Sequence, residues 1–158
     1  MIMNNQEIQR YHLHRFPYLL IDCVEDIVPG KSVRGYKNFS ENEWLFHCNL
    51  HEDVPVPFTM LVEVLIEMLV LPILTLDGNA RKIMNDTSAD QISVNGDVFP
   101  GDRLDVKGTI QSYRRGVAVG ISEGYVNDKL IISAKLTFVI PEIMEKFRPK
   151  ARIGNDRE

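Results

Sequence analysis

His47 to Leu71 reads HCNLHEDVPVPFTMLVEVLIEMLVL, and this stretch decides the fold. Pro55 and Pro57 lead into an apolar run interrupted by charge only at Glu63 and Glu67. Proline suits the first turn of a helix, where its missing N–H has no intrahelical partner to lose, so the pattern predicts a helix from Phe58 to about Leu71. A helix apolar around most of its circumference must be covered on most sides. A carboxylate on such a surface is paired, neutral or catalytic, because burying it unpaired either costs several kcal/mol or drives its pKa upward. Glu63 is therefore the first candidate for chemistry.

Upstream of this helix, Gln6 to Tyr11 reads as a short helix limited by Pro17, and Leu19 to Val28 as a strand ending at Pro29-Gly30-Lys31. Val33 to Phe39 reads as a second strand and Trp44 to Leu50 as a third. Downstream, Asp77-Gly78-Asn79 breaks the helical pattern. Gln91 to Val98, Leu104 to Tyr113, Val117 to Val126 and Leu130 to Ile140 then read as strands, with hairpin turns at Arg114-Arg115-Gly116 and Asn127-Asp128-Lys129. Residues 1–148 are expected to form one domain, and the charged tail 149–158 is expected to be disordered. About six strands in series around one apolar helix predict an α+β hot-dog fold, a curved antiparallel sheet wrapped around a long central helix. Such a sheet leaves an open edge strand, and joining two edges across a two-fold axis closes it, so a homodimer or an oligomer of dimers is expected.

Composition narrows the partners. With 158 residues, 44% of them hydrophobic, and a net charge of −4, the chain carries no basic footprint for nucleic acid or an anionic membrane surface. The apolar helix is interrupted by Glu63, Glu67 and Pro72, which argues against a bilayer span. The opening residues lack the pattern of a signal peptide, and Cys23 and Cys48 read as reduced thiols, so a cytoplasmic protein is expected.

The segment IQRYHLHRFPYLLID, Ile8 to Asp22, resembles the opening motif of the β-hydroxyacyl-acyl-carrier-protein dehydratases of the FabZ type, Leu-Pro-His-Arg-Tyr-Pro-Phe-Leu-Leu-Val-Asp. The similarity continues through Pro29-Gly30-Lys31, Lys37-Asn38 and Asn42-Glu43 and resumes at Phe99-Pro100-Gly101-Asp102-Arg103-Leu104. This resemblance implies the hot-dog dimer, acyl thioesters as substrates carried by acyl carrier protein or coenzyme A, and no cofactor or metal. The family's active site pairs a loop histidine with an acid on the helix. Aligned on Pro57, the acid falls at Glu63, but the histidine position holds Asn49. Glu52 and Phe58 stand where the family has glycines, and Glu67 stands where it has a glutamine. A loop two residues shorter would instead make His51 the equivalent histidine. Side chains alternate along a strand, so a shift of two keeps the same face.

In the family, histidine removes the proton next to the thioester carbonyl and the acid protonates the departing hydroxyl. Asparagine cannot take that proton. The catalytic candidates are therefore Glu63 as acid, Asn49 as a group orienting substrate or water, and His51 as reserve base. Three activities remain open: dehydration, thioester hydrolysis with Glu63 activating water, and a silent acyl-binding or assembly subunit. Among other residues, His14 with Arg15 is expected to anchor the first strand and His12 to lie on the surface. Glu67 reads as a partly exposed or paired carboxylate, and Asp102 as a turn residue. His47 and His51, four apart on a strand, would sit ~13 Å from each other, too far to share a metal ion. An acyl tunnel is expected between protomers, its length depending on packing around Leu65, Met68, Leu69 and Ile73. Val94-Asn95-Gly96-Asp97-Val98 lacks the family's basic residues for a carrier protein, leaving Arg114, Arg115 and Lys107 as alternative charges.

Overall fold

The computed structural model describes residues 2–46 and 54–148. Its centre is α2, Phe58–Leu74, three residues longer at its C-terminal end than the sequence predicts because the helix continues through Pro72. Eleven of its residues are buried, Leu65, Met68, Leu69 and Ile73 completely. Each such side chain contributes roughly 1.5–3 kcal/mol when withdrawn from water, so this helix dominates the core.

Seven strands wrap the helix as one antiparallel sheet: β1 (Met3–Asn4), β2 (Cys23–Val28), β3 (Ser32–Asn38), β4 (Asn85–Val94), β5 (Arg103–Arg114), β6 (Val117–Val126) and β7 (Lys129–Val139). Their order is β1-β2-β3-β5-β6-β7-β4. Two short helices, α1 (Asn5–Ile8) and α3 (Pro141–Glu145), flank it. Alternation is clean in β5 to β7: Leu104, Val106 and Gly108 on β5 and Ala134, Leu136 and Phe138 on β7 face α2. The β5–β6 and β6–β7 hairpins turn on Arg115-Gly116 and Asn127-Asp128, each with two consecutive positive φ angles, the geometry that matches the twist of the paired strands. The helix lies close to the sheet because Gly108 and Gly120 lack side chains; a Cβ at either would come within about 3.0 Å of Leu69.

Several expectations are corrected. The strand expected at Leu19–Val28 is β2 and begins at Cys23, because residues 12–22 are committed to contacts with α2 and with the end of β3. Trp44–Phe46 forms a 3-10 turn instead of opening a strand. The strand expected at Gln91–Val98 runs from Asn85 to Val94; it pairs with β7 and bends at Gln91, whose φ is 52°. Leu65, Met68, Leu69 and Ile73 are completely buried in the core of the single chain. The tail 149–158 lies outside the described residues, as does Cys48; Cys23 is a free thiol. No described helix is long and apolar enough to cross a membrane.

Candidate active site

Residues 12–22 carry no regular structure and are held by side chains. Arg15 donates to the carbonyls of Gln9, His12 and His14, three bonds of 2.7–2.9 Å that fold the chain around its guanidinium. Asp22 accepts from the Asn38 N–H, and the buried Lys37 ammonium bridges Asp22 and Glu43. The motif residues shared with the dehydratases thus pin this segment to β3 and to the chain entering the 3-10 turn. Just before α2, Val56 N–H donates to Val98 O at 2.8 Å, while Asp102 caps its own turn through Phe99 N–H, the structural role expected of it.

The pinned segment lies against α2. Glu67 is completely buried, and each of its oxygens has a partner: Oε1 lies 2.6 Å from His14 Nδ1, and Oε2 accepts from Leu20 N–H at 2.7 Å. Glu67 is therefore a paired carboxylate, as expected, but it is not partly exposed. Burial raises its pKa while the two hydrogen bonds oppose that rise. His14 keeps 45% of its side chain exposed, and its hydrogen bond with Glu67 raises its pKa above 6.5. His12 is not on the surface. It is 6% exposed, and burial, reinforced by His14 and Arg15, lowers its pKa to about 4. Its Nδ1 accepts from His14 N–H at 3.2 Å, so the proton of the neutral ring is on Nε2, which has no hydrogen-bond partner among the described residues.

Glu63 lies one turn before Glu67 and is half-buried. Burial, then the neighbouring charges of Glu67 and Asp86, raise its pKa above the ordinary carboxylate value. Ile66, Glu67, Val70 and Leu74 of α2, His12 and His14, and Lys82 to Met84 with Asp86 line a cavity of about 210 Å³. His12, His14 and Glu67 offer ligand atoms within 4.8 Å of one another. They do not form a good metal cage, because the bond that His12 Nδ1 accepts leaves an N–H, not a lone pair, at its other nitrogen. Asn49 and His51 lie outside the described residues, as do His47 and Glu52. The His14–Glu67 pairing was missed. Its signal was the acid standing where a glutamine is expected, together with a histidine in the opening motif.

A curved antiparallel sheet closed over one apolar helix, with carboxylates and histidines at the helix flank, defines a hot-dog protein. The chain belongs to the FabA-like family, whose domain model matches residues 13–135. It is 32% identical over 140 residues to the 3-hydroxyacyl-[acyl-carrier-protein] dehydratase FabZ of Alkaliphilus metalliredigens, covering 89% of this chain and 95% of that protein. It is 27% identical over 141 residues to the enzyme of the same name from Clostridioides difficile, covering 89% and 99%. Among solved structures, the dehydratase heterocomplex ApeI:P from Xenorhabdus doucetiae superposes with a TM-score of 0.71 at 14% identity, over 85% of this chain and 90% of that one. A phenylacetic acid degradation-related protein from Ralstonia eutropha gives 0.59 at 17% identity, over 74% and 83%.

Proposed function

We propose that this protein is a cytoplasmic dehydratase that removes water from β-hydroxyacyl thioesters presented on acyl carrier protein or coenzyme A, with Glu63 as the acid. The observation that carries the reading is the placement of Glu63: half-buried on α2, raised in pKa, and one turn from the apolar flank of Ile66, Val70 and Leu74. A carboxyl group whose pKa is raised by burial is a better proton donor to a departing hydroxyl than a solvated one, and an adjacent apolar flank suits an acyl chain. Asn49 orients the substrate or water, and His51 stands as reserve base on the loop before α2. The relatives named above carry the same activity in their names and cover nearly the whole chain.

The working unit is a homodimer joined at β4. This strand ends the sheet, all of its residues but Ser88 are exposed, and Ile92 and Val94 stand in the open beside an apolar groove that includes Pro57, Phe58 and Leu61. A second reading, thioester hydrolysis, is favoured by Asn49 at the family's histidine position, since an oriented water needs only one base. Purified protein incubated with a panel of β-hydroxyacyl thioesters separates the two by mass spectrometry: loss of water from an intact thioester supports dehydration, and free acid with released thiol supports hydrolysis.

A further inference from the structure

An acid alone does not start this elimination, because a proton must leave the carbon beside the thioester carbonyl. We propose that His14, positioned by Glu67, is the general base, taking that proton at Nε2. The proposal rests on the dehydratase reading and adds the group that begins the reaction.

The two oxygens of Glu67 have different partners. Leu20 N–H can only donate, and it occupies Oε2; Oε1 faces His14 Nδ1 at 2.6 Å. A carboxylate oxygen at Nδ1 holds the proton there and leaves a lone pair on Nε2. A carboxylate sets the histidine tautomer of a serine-protease triad in the same way. The His14 ring is anchored at one nitrogen and lines the cavity with its side chain 45% exposed, beside Ile66, Val70 and Met84. Its anchor is rigid: Glu67 is on the central helix, and Arg15 fixes the His12 and His14 carbonyls.

The identity of residue 67 decides whether this works. A glutamine has one acceptor oxygen, which the Leu20 N–H would claim. Its NH₂ would then face Nδ1 and drive the ring proton to Nε2, removing the lone pair. Aligned on Pro57 without a gap, the chain departs from the family at both places that matter, with Asn49 at the position of the loop histidine and Glu67 at that of the helix glutamine. Together the two changes move the base from the loop to the opening segment. In the step itself, Nε2 takes the proton from Cα and the C–H electrons form the Cα=Cβ bond. The Cβ–O bond breaks, and the hydroxyl leaves as water with the proton of Glu63. Return of the imidazolium proton to Glu63 closes the cycle.

The test uses full-length protein labelled with ¹⁵N, in which only four histidines need assignment. Long-range ¹H–¹⁵N correlation should place the His14 proton on Nδ1 in the wild type and on Nε2 in Glu67→Gln. In parallel, water loss from a β-hydroxyacyl-coenzyme A should fall ~10²-fold or more in His14→Ala and in Glu67→Gln. Full turnover in both His14→Ala and Glu67→Gln overturns the proposal and leaves the dehydratase reading standing. So does a wild-type His14 with its proton on Nε2, which is read without substrate. No water loss by the wild type removes the dehydratase reading and the base role with it. If Glu67→Gln does not fold, the wild-type tautomer and His14→Ala still decide.

Discussion

Glu63 and Glu67 are one turn apart on the same helix, yet their surroundings give them different roles. Glu67 spends both oxygens on protein donors and is locked, whereas Glu63 is half-buried and raised in pKa mainly by desolvation. Glu63→Gln keeps the shape and removes the acid, so turnover should fall by ~10²-fold or more while circular dichroism and thermal unfolding stay near wild type. Unchanged turnover would make Glu63 structural. The two histidines make stability depend on pH in opposite directions. His12 is held near 4 in the fold against about 6.5 unfolded, so below pH 6.5 the unfolded chain binds the extra proton and stability falls as pH drops toward 4. The full effect is roughly 3 kcal/mol, since each pH unit of difference corresponds to about 1.4 kcal/mol. His14 is raised, so its contribution is complete below 6.5 and disappears as pH rises through its folded value. Urea denaturation from pH 4 to 8 should therefore show less acid loss in His12→Asn than in wild type, and less alkaline loss in His14→Ala.

At the scale of elements, the close seating of α2 on β5 and β6 is what fixes the helix flank against residues 12–20. A Cβ at Gly120 would meet Thr109 O at 2.7 Å and Leu69 at about 3.0 Å, and the carbonyl belongs to a paired strand that cannot move aside. Gly120→Ala should destabilise the protein by about 1–3 kcal/mol in chemical denaturation without changing the chemistry of the site. The central helix, its start at Phe58 and the two hairpin turns were legible in the sequence, because proline placement, apolar density and turn chemistry are local signals. Strands at the periphery were less so. Asn85 to Thr87 is polar and exposed, so β4 reads as a loop until its pairing with β7 is seen, and Trp44 to Phe46 has strand-like residues but lies in a 3-10 turn. The position of Glu63 on the helix was legible for the same local reason. The His14–Glu67 pair was not, since it joins residues 53 apart through an irregular segment whose course is set by Arg15 and by Leu20 N–H.

For the whole molecule, the exposed edge of β4 and the apolar residues around it call for a second chain. Val94→Lys places a charge on that edge and should shift the protein from dimer to monomer in small-angle scattering at micromolar concentration, with turnover lost alongside if the site needs both chains. A wild-type monomer under the same conditions would remove the dimer from the account. The central claim is that water is taken from, or added to, the acyl chain while the thioester stays intact. Dehydration is reversible, so the direct measurement is to incubate the protein with an α,β-enoyl thioester in H₂¹⁸O and locate the label by mass spectrometry. The account predicts ¹⁸O in the β-hydroxyl of an intact thioester, abolished by Glu63→Gln; label in a free carboxylate with released thiol, or no label at all, would contradict it.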